Sequence, residues 1–165
     1  MAKRRQMSYS RGEYISGAPG IKISKFKVGE GGGGYKTLLV SKETGEIKQE
    51  SLESARVVVN KILENTLGID KYSLRVMIYP HLIMREHKQL GVAGADRLSD
   101  GMRNSFGKAR TRVAKVKNGQ TILEVASNPA NKDVLMNALK SASYKLPIPT
   151  SIVTEDSTPG DNVGA

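Results

Sequence analysis

The fold class follows from residues 108–126, which read KARTRVAKVKNGQTILEVA. Apolar and polar residues alternate on either side of Asn118-Gly119, and this alternation indicates two half-buried strands. Asn-Gly is the strongest short signal for a tight hairpin turn, so the strand at 120–126 is predicted to pair with the strand at 108–117. The centre of the fold is therefore expected to be an antiparallel sheet.

The other apolar segments supply more strands and two helices. Short apolar runs bounded by turn residues predict strands at 21–28, 36–41, 73–80, 81–87 and 148–153. Ser51 begins a helix with apolar residues at helical spacing up to Gly68, and Arg56 is predicted on its exposed face. Asn128 and Pro129 begin a second helix, with a predicted buried stripe of Val134, Leu135, Ala138, Leu139 and Ala142. The expected fold is α+β: a two-layer α/β sandwich, with a mainly antiparallel sheet and both helices on one face.

Composition divides the chain into three parts. Residues 1–20 carry almost no periodic apolar residues, so we predict a basic N-terminal arm that becomes ordered only on binding. Residues 21–154 are predicted to form a single domain. This domain includes a flexible glycine-rich run at 29–34 and a long loop at about 88–106, called the central loop below. Residues 155–165 are predicted to form a flexible acidic tail.

The chain is strongly basic, with 26 Lys and Arg against 16 Asp and Glu and a net charge of +10. Cations concentrate in residues 1–34 and 101–117, and the second block holds no acid. Such blocks attract polyanions, because each phosphate contact releases condensed counterions. Aromatic residues are few and lack the paired pattern of an RNA-recognition sheet. The charge therefore predicts nucleic-acid binding through phosphates and shape.

Other function classes lack the residues they need. Cysteine is absent, which excludes disulfides and thiolate chemistry. His81 and His87 are too far apart in sequence to share one helix face as paired metal ligands do. Asp96 and Asp100 lie among cations, which favours local turn or charge-pairing roles. No apolar run approaches the roughly 20 residues of a membrane span, and residues 1–10 lack the apolar core of a secretory signal. We predict no enzymatic activity, no cofactor, no metal and no membrane partner.

The central loop and the residues after it indicate one family. They carry Ala93-Gly94-Ala95-Asp96-Arg97-Leu98, Gly101-Met102-Arg103 and Phe106-Gly107-Lys108. Supporting matches are Glu53-x-Ala55-Arg56, Arg75-Val76, Gly119-Gln120 and Lys145-Leu146-Pro147-Ile148. Over residues 3–153 the sequence resembles the large-subunit ribosomal protein family of archaeal and eukaryotic L10e and bacterial L16. It departs in the glycine-rich run, in an acidic tail where the eukaryotic extension would stand, and in Gly91-Val92 where eukaryotic members carry Ser-Cys.

The resemblance implies a structural constituent of the large ribosomal subunit. Its fold would be a two-layer α/β sandwich bound to 23S rRNA at the base of the central protuberance, near the A-site tRNA. The central loop would reach toward the peptidyl-transferase centre and support translation and subunit maturation. The implied partners are 23S rRNA, 5S rRNA, A-site tRNA and neighbouring large-subunit proteins, with no homo-oligomer. The implied location is cytoplasmic and ribosome-bound.

Two sets of candidate site residues follow. The rRNA contacts are predicted at the cations of the two basic blocks and at Arg75, namely Lys3, Arg4, Arg5, Arg11, Lys22, Arg75, Arg103, Lys108, Arg110, Arg112, Lys115 and Lys117. The resemblance implies a tRNA-proximal segment of Arg85, Lys88, Gly91, Gly94, Ala95, Asp96, Arg97 and Leu98.

Two rival functions stay open at this point. One is a nucleic-acid-binding protein outside the ribosome, such as a DNA-coating or RNA-chaperone protein, which the charge also fits. The other is a hydrolase or transferase that uses Asp96 or His81. The second rival is disfavoured because the sequence offers neither a nucleophile with a base nor a metal-ligand set.

Overall fold

The computed structural model describes residues 9–31, 34–87 and 106–156 of the 165-residue chain. Within these ranges the helices are α1 (Gln49–Leu67) and α2 (Lys132–Ser143). The strands are β1 (Tyr9–Arg11), β2 (Lys27–Val28), β3 (Tyr35–Ser41), β4 (Gly45–Lys48), β5 (Tyr72–Val76), β6 (Leu82–Glu86), β7 (Lys108–Val116), β8 (Thr121–Ser127) and β9 (Thr150–Asp156). Predictions that fall on residues 1–8, 32–33, 88–105 and 157–165 lie outside the described residues.

Both predicted helices are present, but α1 begins at Gln49, two residues before the predicted Ser51, and α2 begins at Lys132, after the predicted Asn128 and Pro129. The buried apolar stripe of α1 is Leu52, Ala55, Val59 and Leu63. The stripe of α2 is Leu135, Ala138, Leu139 and Ala142, with Val134 partly buried. α1 ends at Gly68, whose φ of +84° suits glycine because glycine has no Cβ to clash with the backbone. The helical period of apolar residues is therefore a sufficient guide to these two elements.

Arg56 corrects the predicted exposed face of α1. Only 8% of its surface is exposed. Its guanidinium forms a fork on Glu53, with Nε and Nη2 donating to the two carboxylate oxygens at 2.8 and 2.6 Å. Nη2 also donates to Oγ of Ser24 at 2.8 Å, and Ser24 lies 32 residues earlier in the chain. The prediction of an exposed Arg56 is wrong because helical spacing cannot reveal that a distant segment covers this side chain.

The described strands form two antiparallel sheets. The larger sheet has the order β2-β5-β8-β3-β9, and the smaller sheet has the order β1-β6-β7-β4. Every strand pair in both sheets is antiparallel. The predicted α+β class is confirmed, and the strands are divided between two sheets.

The strands on either side of Asn118-Gly119 do not pair with each other. β7 lies between β6 and β4 in the smaller sheet, whereas β8 lies between β5 and β3 in the larger one. A turn is present, because the N–H of Gln120 donates to the carbonyl of Lys117 at 3.2 Å. Gly119 has φ +80°, but Asn118 does not have a positive φ. Two-residue hairpins favour type I′ and type II′ turns, both of which need a positive φ at the first central residue, here Asn118, and other two-residue turns splay the strands. The predicted hairpin is therefore wrong, and the chain passes here from one sheet to the other.

The core lies between the sheets and the helices. α1 packs against β5 of the larger sheet and against β4 and β7 of the smaller one. α2 packs against α1, β3 and β9. Leu39 stands opposite Leu123 on one side and Ile152 on the other, so that successive strands place apolar side chains in one row. Full burial of a Leu or Val side chain contributes roughly 1.5–3 kcal/mol, and rows like this one hold the layers together.

The segment before β3 is less regular than predicted. The strand predicted at 21–28 is reduced to Lys27–Val28, which pairs with β5. In the glycine-rich run, a Cβ on Gly29 would overlap the carbonyl oxygen of Tyr72, and one on Gly31 would overlap that of Asp70. The sequence predicts a flexible loop here, whereas these two glycines pack closely against neighbouring backbone.

The strands at both ends extend beyond the predicted domain. β1 lies within the predicted N-terminal arm and pairs with β6, with Arg11 opposite Leu82. At the other end, β9 continues through Asp156, and Glu155 stands opposite Lys36. The described parts of the predicted arm and tail therefore include strand residues.

Candidate nucleic-acid interface

β7 is the main carrier of cations in the described part of the chain. Lys108, Arg110 and Lys115 are exposed on it and Arg112 is half-buried, whereas Thr111 is buried. Neighbouring elements decide which positions are covered. β6 borders the first half of β7, β4 borders the second half, and the beginning of α1 covers Thr111. The cations therefore line a strand whose two halves are each held by a neighbouring strand.

Arg110 projects from a β-bulge. Thr111 stands opposite Met84 and Ala109 stands opposite Arg85, so Arg110 is the extra residue on β7. Its Nη1 forms an ion pair with Glu86, and both side chains are about half exposed. Such a surface pair contributes little to stability, typically below about 1 kcal/mol. Arg110 therefore keeps donors that can reach an external phosphate.

Arg112 has a different environment from Arg110. Its Nε donates to the carbonyl of Pro19 at 2.7 Å, and its side chain is half-buried. The interaction joins β7 to a segment 93 residues earlier in the chain. The structure therefore gives Arg112 an internal partner, although sequence alone does not distinguish it from Arg110.

Lys22 belongs to a polar network around Gln49 that holds the same N-terminal segment against the domain. The N–H of Lys22 donates to Oε1 of the buried Gln49 at 3.0 Å, and its Nζ pairs with Oε1 of Glu50 at 3.1 Å. Gln49 Nε2 donates to Thr111 Oγ1 at 3.1 Å, and Thr111 Oγ1 donates to Glu50 at 2.7 Å. Partial burial raises the pKa of Glu50, but the Thr111 hydroxyl, a backbone amide and Lys22 together lower the pKa below its ordinary value. The ionised carboxylate is therefore favoured in the fold.

Arg11 and Arg75 extend the set of exposed cations but lie on different sheets. Arg11 ends β1 at the edge of the smaller sheet, which also contains β7. Arg75 is exposed on β5 of the larger sheet, between Lys27 on one neighbouring strand and Glu124 on the other. The fold thus places Arg11 and the β7 cations in one sheet and leaves Arg75 in the other.

Lys115 and Lys117 lie near the end of β7. Lys115 is exposed and stands opposite Glu46. Together with Lys117, Asn118, Gly119 and Gln120, it lines a shallow, open depression at the turn between the two sheets. The N–H of Lys117 donates to the side-chain oxygen of Gln120 at 2.9 Å, which holds the turn in place. This depression gives a second exposed basic position on the same strand.

The root of the central loop is formed by β6 and β7. Glu86 stands opposite Lys108, so the two ends of the loop are held side by side. Arg85 is half-buried, and its guanidinium carbon lies 4.0 Å from the centre of the Phe106 ring. Phe106 is 65% exposed. Phe106 is not among the predicted site residues. An aromatic residue directly before a basic strand is the sequence feature that could have identified it.

The other predicted site residues lie outside the described ranges. They are Lys3, Arg4 and Arg5 of the arm, Lys88, Gly91, Gly94, Ala95, Asp96, Arg97 and Leu98 of the central loop, and Arg103.

An enzymatic function gains no support from the described residues. Among them, no group of three His, Cys, Asp or Glu side chains is placed to hold a metal ion. His81 is exposed and contacts the ring of Tyr79, with the ring centres 4.7 Å apart. No helix in the described ranges is long and apolar enough to cross a membrane.

Comparison with known proteins identifies the family to which the chain belongs. The model of the family described as ribosomal protein L16p/L10e matches residues 2–153. The protein from Archaeoglobus fulgidus named large ribosomal subunit protein uL16 is 43% identical over 157 residues, which cover 94% of this chain and 90% of that protein. Its namesake from Staphylothermus marinus is 43% identical over 154 residues, covering 92% and 88%. That from Methanocella arvoryzae is 41% identical over 150 residues, covering 90% and 87%. With this identity over nearly the whole chain, the protein belongs to the ribosomal protein L16p/L10e family.

Proposed function

We propose that this chain is a structural constituent of the large ribosomal subunit that binds 23S rRNA at the base of the central protuberance, near the A-site tRNA. The observation that carries the proposal is the position of the exposed cations. Lys108 and Arg110 lie at the root of the central loop, on a sheet that Arg11 also joins through β1. Membership of the L16p/L10e family supports rRNA as the polyanion that these cations bind. The proposed location is cytoplasmic and ribosome-bound.

The proposed mechanism is charge neutralisation by a preformed surface. Cations that contact phosphates release condensed counterions. Affinity therefore decreases as salt increases, and each contact makes the plot of log affinity against log salt steeper by about 0.7 to 0.9. On β7, neighbouring residues are about 3.3 Å apart along the strand, so the spacing of the cations is set by the sheet. Contacts of this kind position the protein on RNA without reading its sequence. The predicted contacts at Lys3, Arg4, Arg5, Lys22, Arg75, Arg103, Arg112, Lys115 and Lys117 remain part of this proposal.

The central loop is proposed to reach toward the peptidyl-transferase centre and the A-site tRNA. The antiparallel pairing of β6 with β7 supports this role, because the loop leaves and returns at one place on the domain. RNA bound at Lys108 and Arg110 would therefore orient the root of the loop. Further partners in this proposal are 5S rRNA and neighbouring large-subunit proteins. Through these contacts the protein would support translation and subunit maturation.

Binding to 23S rRNA tests the proposed contact surface. A variant with Lys108→Ala and Arg110→Ala removes two exposed cations from β7, and a control with Lys61→Ala and Lys140→Ala removes two from the helices. We expect the β7 variant to bind more weakly, and we expect its plot of log affinity against log salt to be less steep by about 1.4 to 1.8. The control should match the natural protein. Equal losses in the two variants would indicate a non-specific effect of net charge and would overturn the assigned surface.

Sedimentation separates the ribosomal role from that of a free nucleic-acid-binding protein. A protein embedded in rRNA should remain with large subunits at a salt concentration that removes a loosely bound polycation. Crosslinks from β7 to RNA in cells should then map to one region of 23S rRNA. Release from subunits at moderate salt, with crosslinks scattered over unrelated RNAs, would favour the rival function.

A further inference from the structure

We infer that Phe106 and Arg85 form a stacking site for a single unpaired RNA base at the root of the central loop. The inference rests on the proposed function and deepens it, because it names the chemical group that this part of the surface would bind. It is carried by the stacked pair of side chains, by the exposure of the ring and by the charge around it.

The ring of Phe106 has one face supported and a large surface open. The guanidinium carbon of Arg85 lies 4.0 Å from the ring centre, within the range of a cation–π contact. Even so, 65% of Phe106 is exposed. A base that stacks on the free face would complete a layered arrangement of guanidinium, phenyl ring and base. Aromatic side chains are the usual platform for unpaired bases, and any base can use them because every base has a π face.

The backbone beside Phe106 holds the ring at a fixed place. A Cβ at Gly107 would lie 2.9 Å from the carbonyl carbon of Glu86 and 3.0 Å from the amide nitrogen of His87. Gly107 is therefore packed directly on the neighbouring strand end. This close approach ties Phe106 to the β6–β7 pair, and a positioned ring loses less conformational entropy on binding than a freely moving one.

Arg85 is placed to support the ring and to meet the adjoining backbone of the nucleic acid. Its side chain is half-buried, and its Nε is buried without a hydrogen-bond acceptor in the described ranges. The buried Nε is out of reach of an external oxygen atom, so a nucleic-acid oxygen would be bound by the terminal guanidinium nitrogens. A planar guanidinium can stack and donate in its own plane at the same time, whereas an ammonium group cannot stack in this way.

The charge around the ring favours RNA over an apolar protein partner. Lys108 follows two residues after Phe106 on the extended chain and is exposed, and Arg110 is exposed two residues further. The neighbouring acid, Glu86, is already paired with Arg110. An apolar partner would leave these cations partly desolvated without compensation, whereas a nucleotide brings a phosphate with its base.

The test compares two single-stranded RNA probes that differ only in their bases. One is an oligoadenylate of about eight nucleotides, which is within the range bound by single-strand sites. The other has the same length and the same sugar–phosphate backbone but carries no bases. Binding of both to the full-length protein is measured by fluorescence anisotropy at one fixed salt concentration, because electrostatic affinity depends on salt.

Phe106→Leu keeps an apolar side chain but removes the ring. It should lower affinity for oligoadenylate by about 5- to 150-fold, the range of one base–aromatic stack, and leave affinity for the abasic probe unchanged. Phe106→Trp should retain the preference for bases, and Arg85→Lys should weaken it. The matched control is Tyr144→Leu, which removes a ring that is 76% exposed at the end of α2. This control should change neither affinity.

Three results with the two probes would overturn the inference. The natural protein could bind the two probes equally, Phe106→Leu could match Tyr144→Leu, or Phe106→Trp could lose the preference as fully as Phe106→Leu. Reduced incorporation of Phe106→Leu into subunits with an unchanged base preference would assign Phe106 to a protein contact and also overturn it. In each case, phosphate binding through β7 would stand. Failure of the natural protein to bind the abasic probe or 23S rRNA would instead refute the proposed function.

Discussion

Gln49 and Thr111 form a buried hydrogen bond that joins the first turn of α1 to the middle of β7. Nε2 of Gln49 donates to Oγ1 of Thr111 at 3.1 Å, and both side chains are buried. The same nitrogen reaches the carbonyl of Gly20 at 3.5 Å, and Oε1 accepts from the N–H of Lys22 at 3.0 Å. One side chain therefore fastens the end of the predicted N-terminal arm to a helix and a strand of the domain.

Replacing Gln49 should loosen this attachment. Gln49→Leu keeps the volume but leaves the hydroxyl of Thr111 and the N–H of Lys22 with one partner fewer, so we expect a loss of about 1–3 kcal/mol in the free energy of unfolding. Amide exchange at Lys22 should also become faster. Asn137→Leu, at an exposed position of α2, is the control and should cost less than about 1 kcal/mol. Equal losses from the two variants would contradict the role of Gln49.

The pair of Glu53 and Arg56 should make the stability depend on pH in the acid range. The hydrogen bond from Arg56 is the main cause that lowers the pKa of Glu53, and burial acts in the opposite direction. A carboxylate with a lowered folded-state pKa stabilises the fold at any pH above its unfolded value, here about 4.5. That contribution is lost as the pH falls through the folded pKa.

Denaturant unfolding from pH 7 to pH 3 measures this contribution. Glu53→Gln should lower stability at pH 7 by about 1–3 kcal/mol, because the buried guanidinium of Arg56 loses its charged partner. It should also flatten the decline in stability below pH 4.5. Glu13→Gln removes an exposed carboxylate and serves as the control. An equally steep decline in Glu53→Gln and the natural protein would mean that other groups dominate the acid transition.

Sequence patterns predict those parts of the fold that depend on local periodicity. The stripe from Leu52 to Leu63 specifies α1, because apolar residues at this spacing can be buried together only on one side of a helix. The pairing of strands depends instead on distant residues. Asn118-Gly119 predicts a turn correctly, but β7 pairs with β6 and β4, and β8 pairs with β5 and β3. Neither choice of partner is encoded in the residues around the turn.

The same limit applies to the candidate site. Arg110 and Arg112 look equivalent in sequence, yet one pairs with Glu86 at the surface and the other with the carbonyl of Pro19. Those partners come from β6 and from the N-terminal segment, and no pattern around the arginines encodes them. Phe106 acquires its proposed role only because the pairing of β6 with β7 brings Arg85 against its ring.

Close backbone packing at the glycine-rich run gives a steric prediction. Gly31→Ala would drive a Cβ into the carbonyl oxygen of Asp70, and both groups are anchored to the backbone. We expect a loss of about 1–3 kcal/mol in the free energy of unfolding, as for other overpacked sites. Gly20→Ala is the control, because a Cβ added there would meet nothing within 4 Å. Thermal unfolding of both variants decides the matter, and an unchanged melting temperature in Gly31→Ala would contradict the observed packing.

Arg110 and Arg112 should contribute in different proportions to rRNA binding and to stability. Arg110→Ala removes an exposed ion pair and should cost less than about 1 kcal/mol of stability, while reducing the salt slope of rRNA binding by about 0.7 to 0.9. Arg112→Ala removes the donor to Pro19 and should cost about 0.5–1.5 kcal/mol, with faster amide exchange at Gly20. Identical stability and identical rRNA binding in the two variants would contradict the different contributions assigned to Arg110 and Arg112.

Deletion within the central loop should affect translation more than folding. The ends of the loop are fixed side by side, because Glu86 pairs with Lys108 across β6 and β7. Removal of residues 92–98 shortens a closed connection without touching these strands, so by loop-closure entropy the free energy of unfolding should change by about 1 kcal/mol or less. If the loop contacts tRNA as proposed, subunits assembled with the deleted protein should contain it in normal amount but form peptide bonds more slowly. Melting, incorporation and peptide-bond formation measured on the same subunits test both halves of this prediction. Full activity of the deleted form would refute a role for residues 92–98 in translation and leave the β7 surface as the functional part of the chain.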